Sequence, residues 1–175
     1  MEQGQEFLIL GLSWAKIHFV ENEGMAFGLS LGGSSGKLAL SIFRLVAVSF
    51  LIYLLIKMIK SNEFIGLIVA FSMILAGALG NIIDSLFYGM FFSASPYHGG
   101  QAIFLPPEGG YAPFLMGKVV DMLYFPMINS HFPDWMPIWA GEEFEFFRPV
   151  FNVADSSIFC GICLFFIFYK KLKKH

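Results

Sequence analysis

The chain has 175 residues, of which 57% are hydrophobic and only 14% charged, with 22 phenylalanines and a mean hydropathy of +0.68. That is more apolar surface than a soluble domain of this length can bury, so the composition specifies an integral membrane protein. A net charge of −2 and an isoelectric point near 6.0 leave no basic field for nucleic acid, which is excluded as a partner.

In chain order, residues 6–31 come first. Trp14 to Val20 alternates like a strand and Leu8 to Leu12 is too short to cross a bilayer, so this stretch predicts a small β element on the outer surface. Leu38 to Ile59 is apolar except for Arg44 and Lys57; at about 1.5 Å of rise per residue it spans the ~30 Å hydrocarbon core as a helix. Phe64 to Phe92 predicts a second span, in which Gly66, Gly77 and Gly80 present the small surfaces that let membrane helices approach closely. Residues 93–150 carry Gly, Pro, aromatics and the acids Glu108, Asp134, Glu142, Glu143 and Glu145. They read as an outer loop region whose Trp135 and Trp139 suit an interfacial lid or, preferably, an aromatic belt. Ala154 to Tyr169 is the third span. Cys160 and Cys163 within it have redox spacing but no histidine or strand-to-helix context nearby, and read as packing residues. The expected fold is an α-helical integral membrane bundle, one domain over residues 1–175, with a small extracytoplasmic β element and long outer loops.

Six of the eleven Lys and Arg residues fall in the link from Lys57 to Glu63 or in the tail after Tyr169, and the positive-inside rule puts both in the cytoplasm. Residues before Leu38 and those between Phe92 and Phe151 then face outward. Residues 1–37 contain no span or signal peptide to export them, so a first transmembrane helix is expected ahead of them and reads as missing.

Charge at a membrane-embedded site costs about 2.5 to 3.5 kcal/mol per group at a helix centre on insertion scales, so function is the default reading of acids there. Asp84 lies about 36 Å of helical rise above Lys60, and Asp155 about 22 Å above Lys170, which places both in the outer leaflet. Asp121, in Val119-Val120-Asp121, reaches the same level if Leu115 to Val120 dips back toward the membrane. Two carboxyls held within a few ångströms share a proton, giving a base and an acid together. The ionised one takes a proton from water while the protonated one polarises a scissile carbonyl, with no covalent intermediate, metal or cofactor. Asn81, one turn below Asp84, and Asn152, just before the third span, either orient such a dyad or act as a helix cap and an interhelical hydrogen-bond group. Taken singly, Asp155 also reads as an N-cap and Asp121 as a loop acid. Serine hydrolysis needs a histidine at serine depth, but His18, His98, His131 and His175 all fall outside the spans. The His-Glu-x-x-His of a zinc protease is absent.

Four segments occur in one family's order: Asn22-Glu23-Gly24-Met25-Ala26-Phe27-Gly28, Gly77-Ala78-Leu79-Gly80-Asn81-Ile82-Ile83-Asp84, Val119-Val120-Asp121 and Phe151-Asn152-Val153-Ala154-Asp155. With them the chain resembles the lipoprotein signal peptidases, the aspartyl signal peptidase II enzymes of bacterial membranes. The resemblance implies that Asp121 and Asp155 are the catalytic dyad. It also implies that Asn22, Gly24, Ala26, Gly77, Asn81, Asp84, Asn152 and Ala154 line or shape the site, Asp84 in support. The substrate it implies is a prolipoprotein whose lipobox cysteine carries diacylglycerol, cut on the amino side of that cysteine. Globomycin-type inhibitors, surrounding membrane lipids and a multi-pass place in the bacterial inner membrane, with the active site at the outer leaflet, follow from the same likeness. Gly77 and Gly80 would then leave a groove for the signal-peptide helix, and the outer β element would clamp the substrate from above.

Three features depart from the family pattern. Ser85 stands where an arginine follows the aspartate of Gly-Asn-x-x-Asp, and Arg148 is expected to supply the guanidinium instead. The outer loops from Phe91 to Gly117 and from Met122 to Pro149 are long for the family, and the family's usual four spans agree with the missing first helix. Two other functions compete: a non-enzymatic lipid- or peptide-binding membrane protein using the aspartates for hydrogen bonding alone, and an ion pathway. The pathway needs acids in mid-bilayer, where only Arg44 approaches the interior of a span.

Overall fold

A computed structural model describes residues 2–24, 32–96 and 100–172, apart from the side chain of Asn129; of the expected site residues, Ala26 alone lies outside them. Among the described residues three helices are long and apolar enough to cross a membrane: α1 (Gly33–Lys60), α2 (Ile65–Phe91) and α3 (Val153–Phe168), the last continued by a 3-10 turn over Tyr169–Lys171. They match the three expected spans. α1 begins earlier than its apolar run, because Gly33 to Lys37 continues the helical backbone into polar surroundings. Its last turn carries Lys57 and Lys60, cations at the negative end of the helix dipole.

Both α1 and α3 pack on α2, which holds most of the buried residues of the bundle, among them Leu67, Ala70, Gly77 and Asn81. The approach of α2 and α3 is close enough to be set by glycine. A Cβ at Gly77 would run into the Ala154 carbonyl oxygen, one at Gly80 would stand 3.1 Å from the Ala154 Cβ, and one at Gly161 2.7 Å from the Ala70 carbonyl oxygen. Gly77 and Gly80 therefore do not leave a groove for a substrate helix; α3 fills it. Edge-on pairs Phe64 with Phe168 and Phe71 with Phe165, at 5.3 and 5.7 Å, close the other end of the same interface.

An antiparallel sheet stands at the head of the bundle in the order β1 (Glu6–Ile9), β2 (Leu12–Asn22), β3 (Val119–Tyr124), β6 (Val150–Phe151). The first two strands are the expected β element. The other two come from the region read as outer loops, which also contains a separate two-stranded ribbon of β4 (Ile128–His131) and β5 (Glu143–Phe146). The remaining outer backbone lies directly on the end of α2: Gly117 N–H donates to the Ser85 carbonyl at 2.9 Å, and a Cβ on Gly117 would stand 2.6 Å from the Asp84 carbonyl oxygen. Ser41 of α1 donates to the Leu115 carbonyl at 2.8 Å, so the segment from Leu115 to Val120 does return to the helices.

Candidate active site

Asp121 sits in the middle of β3 and is 4% exposed. The register pairs Val20 with Asp121 and Asn22 with Val119, which makes Asn22 the diagonal neighbour of Asp121 across the β2–β3 ladder. Its Nδ2 donates to Asp121 Oδ2 at 3.0 Å. On the other side of β3, Leu123 pairs with Phe151 of β6, and the next residue, Asn152, caps α3. The long sequence gap between Asp121 and Asp155 is thus closed by one strand pairing.

Asn152 performs both of the roles left open by its position in the sequence. As N-cap, its side-chain oxygen accepts from Asp155 N–H at 2.9 Å while its own N–H donates to Asp155 Oδ2 at 3.2 Å, a reciprocal capping box with Asp155 as the third helical residue. Its Nδ2 also donates to Asp121 Oδ1 at 2.9 Å and to Asn81 Oδ1 at 3.0 Å. Asn81 in turn donates to Asp155 Oδ1 at 2.7 Å. One asparagine touches both aspartates, and Asn22 and Asn81 hold them from either end.

Burial pushes the Asp121 carboxyl above the ordinary carboxylate range; the Asn22 donor opposes the shift, the nearby Asp155 charge adds to it, and Asn152 and the Arg44 guanidinium oppose it. Asp84, on the outer turns of α2, lies beside the Val120 backbone N–H, one residue before Asp121 in β3.

The guanidinium beside Ser85 belongs to Arg44 of α1, a residue not singled out for the site by the sequence. Arg44 Nη1 donates to Ser85 Oγ at 3.1 Å, and Nη2 donates to the Gly24 carbonyl. Gly24 has φ +99°, a backbone shape that favours glycine, and a Cβ there would stand 2.6 Å from Arg44 Nη1 and displace the guanidinium. The Gly24 N–H donates to Asn22 Oδ1 at 2.8 Å, linking the cation to the asparagine that holds Asp121. Arg148 instead has its Nε 3.5 Å from Glu145 Oε2 with a side chain 67% exposed, and it borders a shallow hollow that also touches Asp121 and Asn22. One signal for Arg44 was present in the sequence: an arginine inside an apolar span is a functional residue by default.

Asn22, Gly24, Arg44, Asn81, Asp121 and Asp155 line one hollow of about 370 Å³. A larger one, about 510 Å³, is bordered by Glu23, Lys37, Tyr111 and Lys118, but it holds no paired carboxylates, and its Lys37 is bound to Glu23 at 2.7 Å. Asp121 and Asp155 both line the smaller one. Ala154 does not line that hollow; it seats α3 against Gly77 and Gly80 and thereby fixes where Asp155 stands.

A profile of the family described as signal peptidase (SPase) II matches residues 1–170. The chain belongs to the signal peptidase II family. Among its relatives, the lipoprotein signal peptidase of Porphyromonas gingivalis is 51% identical over 170 residues, covering 94% of this chain and 73% of that protein. That of Amoebophilus asiaticus is 36% identical over 153 residues, covering 87% and 60%. A bacterial membrane enzyme solved by the in meso method at 1.9 Å resolution has the same fold, with a TM-score of 0.57 and 25% identity over 98% of this chain and 78% of that one. A signal peptidase II is an aspartic peptidase of the membrane, so the acid pair rather than a serine or a metal site is the place to look for its chemistry.

Proposed function

We propose that this signal peptidase II removes the signal peptide of diacylglyceryl-modified prolipoproteins, cutting before the lipidated cysteine, with Asp121 and Asp155 as the dyad. The observation that carries this reading is Asn152, which hydrogen-bonds both aspartates at once and leaves them on one hollow with Asn22 and Asn81. One carboxylate takes a proton from a water held between the pair, the hydroxide adds to the scissile carbonyl carbon, and the protonated carboxyl gives its proton to the carbonyl oxygen. Collapse of the resulting diol breaks the C–N bond as the leaving amine takes up a proton, and no covalent enzyme intermediate forms.

Arg44 takes the role first expected of Arg148. Its guanidinium offsets part of the charge that two carboxylates bring to a half-buried site, and it fixes Ser85 and Gly24 around them. Asn22, Asn81, Asn152 and Asp84 position the dyad. Gly77 and Ala154 set the spacing of the two helices beneath it. The site lies at the outer leaflet of the bacterial inner membrane, where a lipid-anchored cysteine presents its peptide bond, and globomycin-type peptides compete for the same hollow.

Asp121→Asn and Asp155→Asn test the assignment, since each keeps the shape and removes one ionisable group. Cleavage of a lipidated precursor by the purified protein is expected to vanish in both, with helical content unchanged by circular dichroism. Full activity in either variant would end the dyad assignment.

A further inference from the structure

The ribbon of β4 and β5 has two unlike faces. Its register pairs Ile128 with Phe146, Ser130 with Phe144 and His131 with Glu143, so alternation gathers Ile128, Phe144 and Phe146 on one side and His131, Glu143 and Glu145 on the other. On the polar side Glu145 meets the body of the protein, where the Tyr124 hydroxyl donates to its carboxylate and Arg148 reaches it from the following residues, while His131 and Glu143 are exposed. The apolar side is left open. Ile128 is 54% exposed and Phe146 50%, and in the connecting turn Trp135 and Ile138 reach 80% and 72%. These side chains are organised rather than scattered: Phe132 packs its ring on Phe144 at 5.1 Å and on Trp139 at 5.7 Å.

The root of the ribbon fixes its level. β5 runs out through Phe147, whose ring lies 5.9 Å from that of Phe151, and Phe151 immediately precedes Asn152, the cap at which α3 begins. The open face therefore starts where a membrane span leaves the bilayer, next to Val153, the first residue of that span, which is itself exposed. Four strand residues at about 3.3 Å each carry the ribbon only ~13 Å from its root before the aromatic turn begins. Trp and Phe on one side, with carboxylates on the other, is the composition of an element lying in a membrane interface.

We propose that the β4–β5 ribbon is an interfacial anchor, its Ile128, Phe144 and Phe146 face and its Trp135 to Trp139 turn inserted into the outer surface of the bilayer and its acidic face in water. The proposal does not depend on the peptidase reading.

The chain holds three tryptophans, so Trp14→Phe leaves Trp135 and Trp139 as reporters. The full chain carrying this change, reconstituted without substrate into phosphatidylcholine vesicles, is expected to show blue-shifted emission. Lipids brominated near the headgroup end of the acyl chain should quench most of that emission, deep-brominated lipids less, and aqueous iodide little. Adding Ile128→Asp and Phe146→Asp should shift the emission to the red and restore iodide quenching. Emission open to iodide and untouched by either bromolipid would place the ribbon in water and overturn the proposal. So would a blue shift that disappears as lipid is added at fixed protein, which marks contact between copies, or one that arises only with a lipidated precursor peptide, which marks a lid over substrate.

Discussion

Asp121 is buried, yet it carries hydrogen bonds that favour its ionised form, and under the proposed mechanism the balance sets the working pH. Removing the strongest opposing donor, in Asn22→Ala, leaves burial and the Asp155 charge less opposed, so the Asp121 carboxyl rises further. The limb of the kcat/KM profile that reports this group is expected to move to higher pH, and an unmoved profile would remove Asn22 from the dyad. Stability runs the other way. A carboxyl raised in the folded state keeps its proton where the unfolded chain has lost it, so folding stability falls as pH rises from the ordinary carboxylate value to the folded one. Arg44 invites a sharper test. Losing a hydrogen-bonded charge costs about 1.5 to 3 kcal/mol, so Arg44→Ala should lower kcat/KM roughly 10- to 100-fold. Because Arg44 Nη1 reaches Ser85 Oγ, the double variant Arg44→Ala, Ser85→Arg puts a guanidinium back from α2 and should recover much of the loss. No recovery would mean that Arg44 matters through packing of α1 alone. The acids and asparagines of this site were legible in the sequence, because each sits in a short segment with its neighbours. Arg44 was visible but unassigned: no spacing along one chain tells which turn of α1 lies against Ser85 of α2.

At the scale of elements, the spans were legible because apolar runs of that length admit one structure in a bilayer, and helix ends followed to within a few residues. β3 and β6 were not. Val119 to Tyr124 alternates properly, with Val119 and Asp121 inward, but its partners are β2, about a hundred residues earlier, and a two-residue strand that no pattern could announce. What holds these strands over the dyad is the helix pair beneath them, and there the constraint is steric. A methyl group at Gly77 would meet the Ala154 backbone oxygen and the Ile158 side chain, and backbone cannot rotate aside. Gly77→Ala should therefore push α3 away from α2, carrying the Asn152 cap and Asp155 with it. The expected cost is about 1 to 3 kcal/mol of stability from overpacking, with activity lost well before the fold. Thermal unfolding in detergent beside precursor cleavage measures both, and an active variant of unchanged stability would show the helices free to separate.

For the molecule as a whole, orientation decides whether the site can meet its substrate. The sheet, the ribbon and the dyad cluster at one end of the bundle, while Lys57, Lys60, Lys170 and Lys171 sit at the opposite end, beyond the Phe64 and Phe168 contact. By the positive-inside rule this lysine-rich end is expected in the cytoplasm, which would put the carboxylates on the side where exported precursors arrive. Cys160 and Cys163 lie within α3 and can be replaced by alanine to give a background without thiols. A single cysteine at Glu63, in the link between α1 and α2, should then resist a membrane-impermeant maleimide in right-side-out vesicles and react once the membrane is opened. One at Gly109, in the outer loop over α2, should react in both. The reverse pattern would turn the dyad toward the cytoplasm and leave the lipid-anchored bond on the wrong face of the membrane.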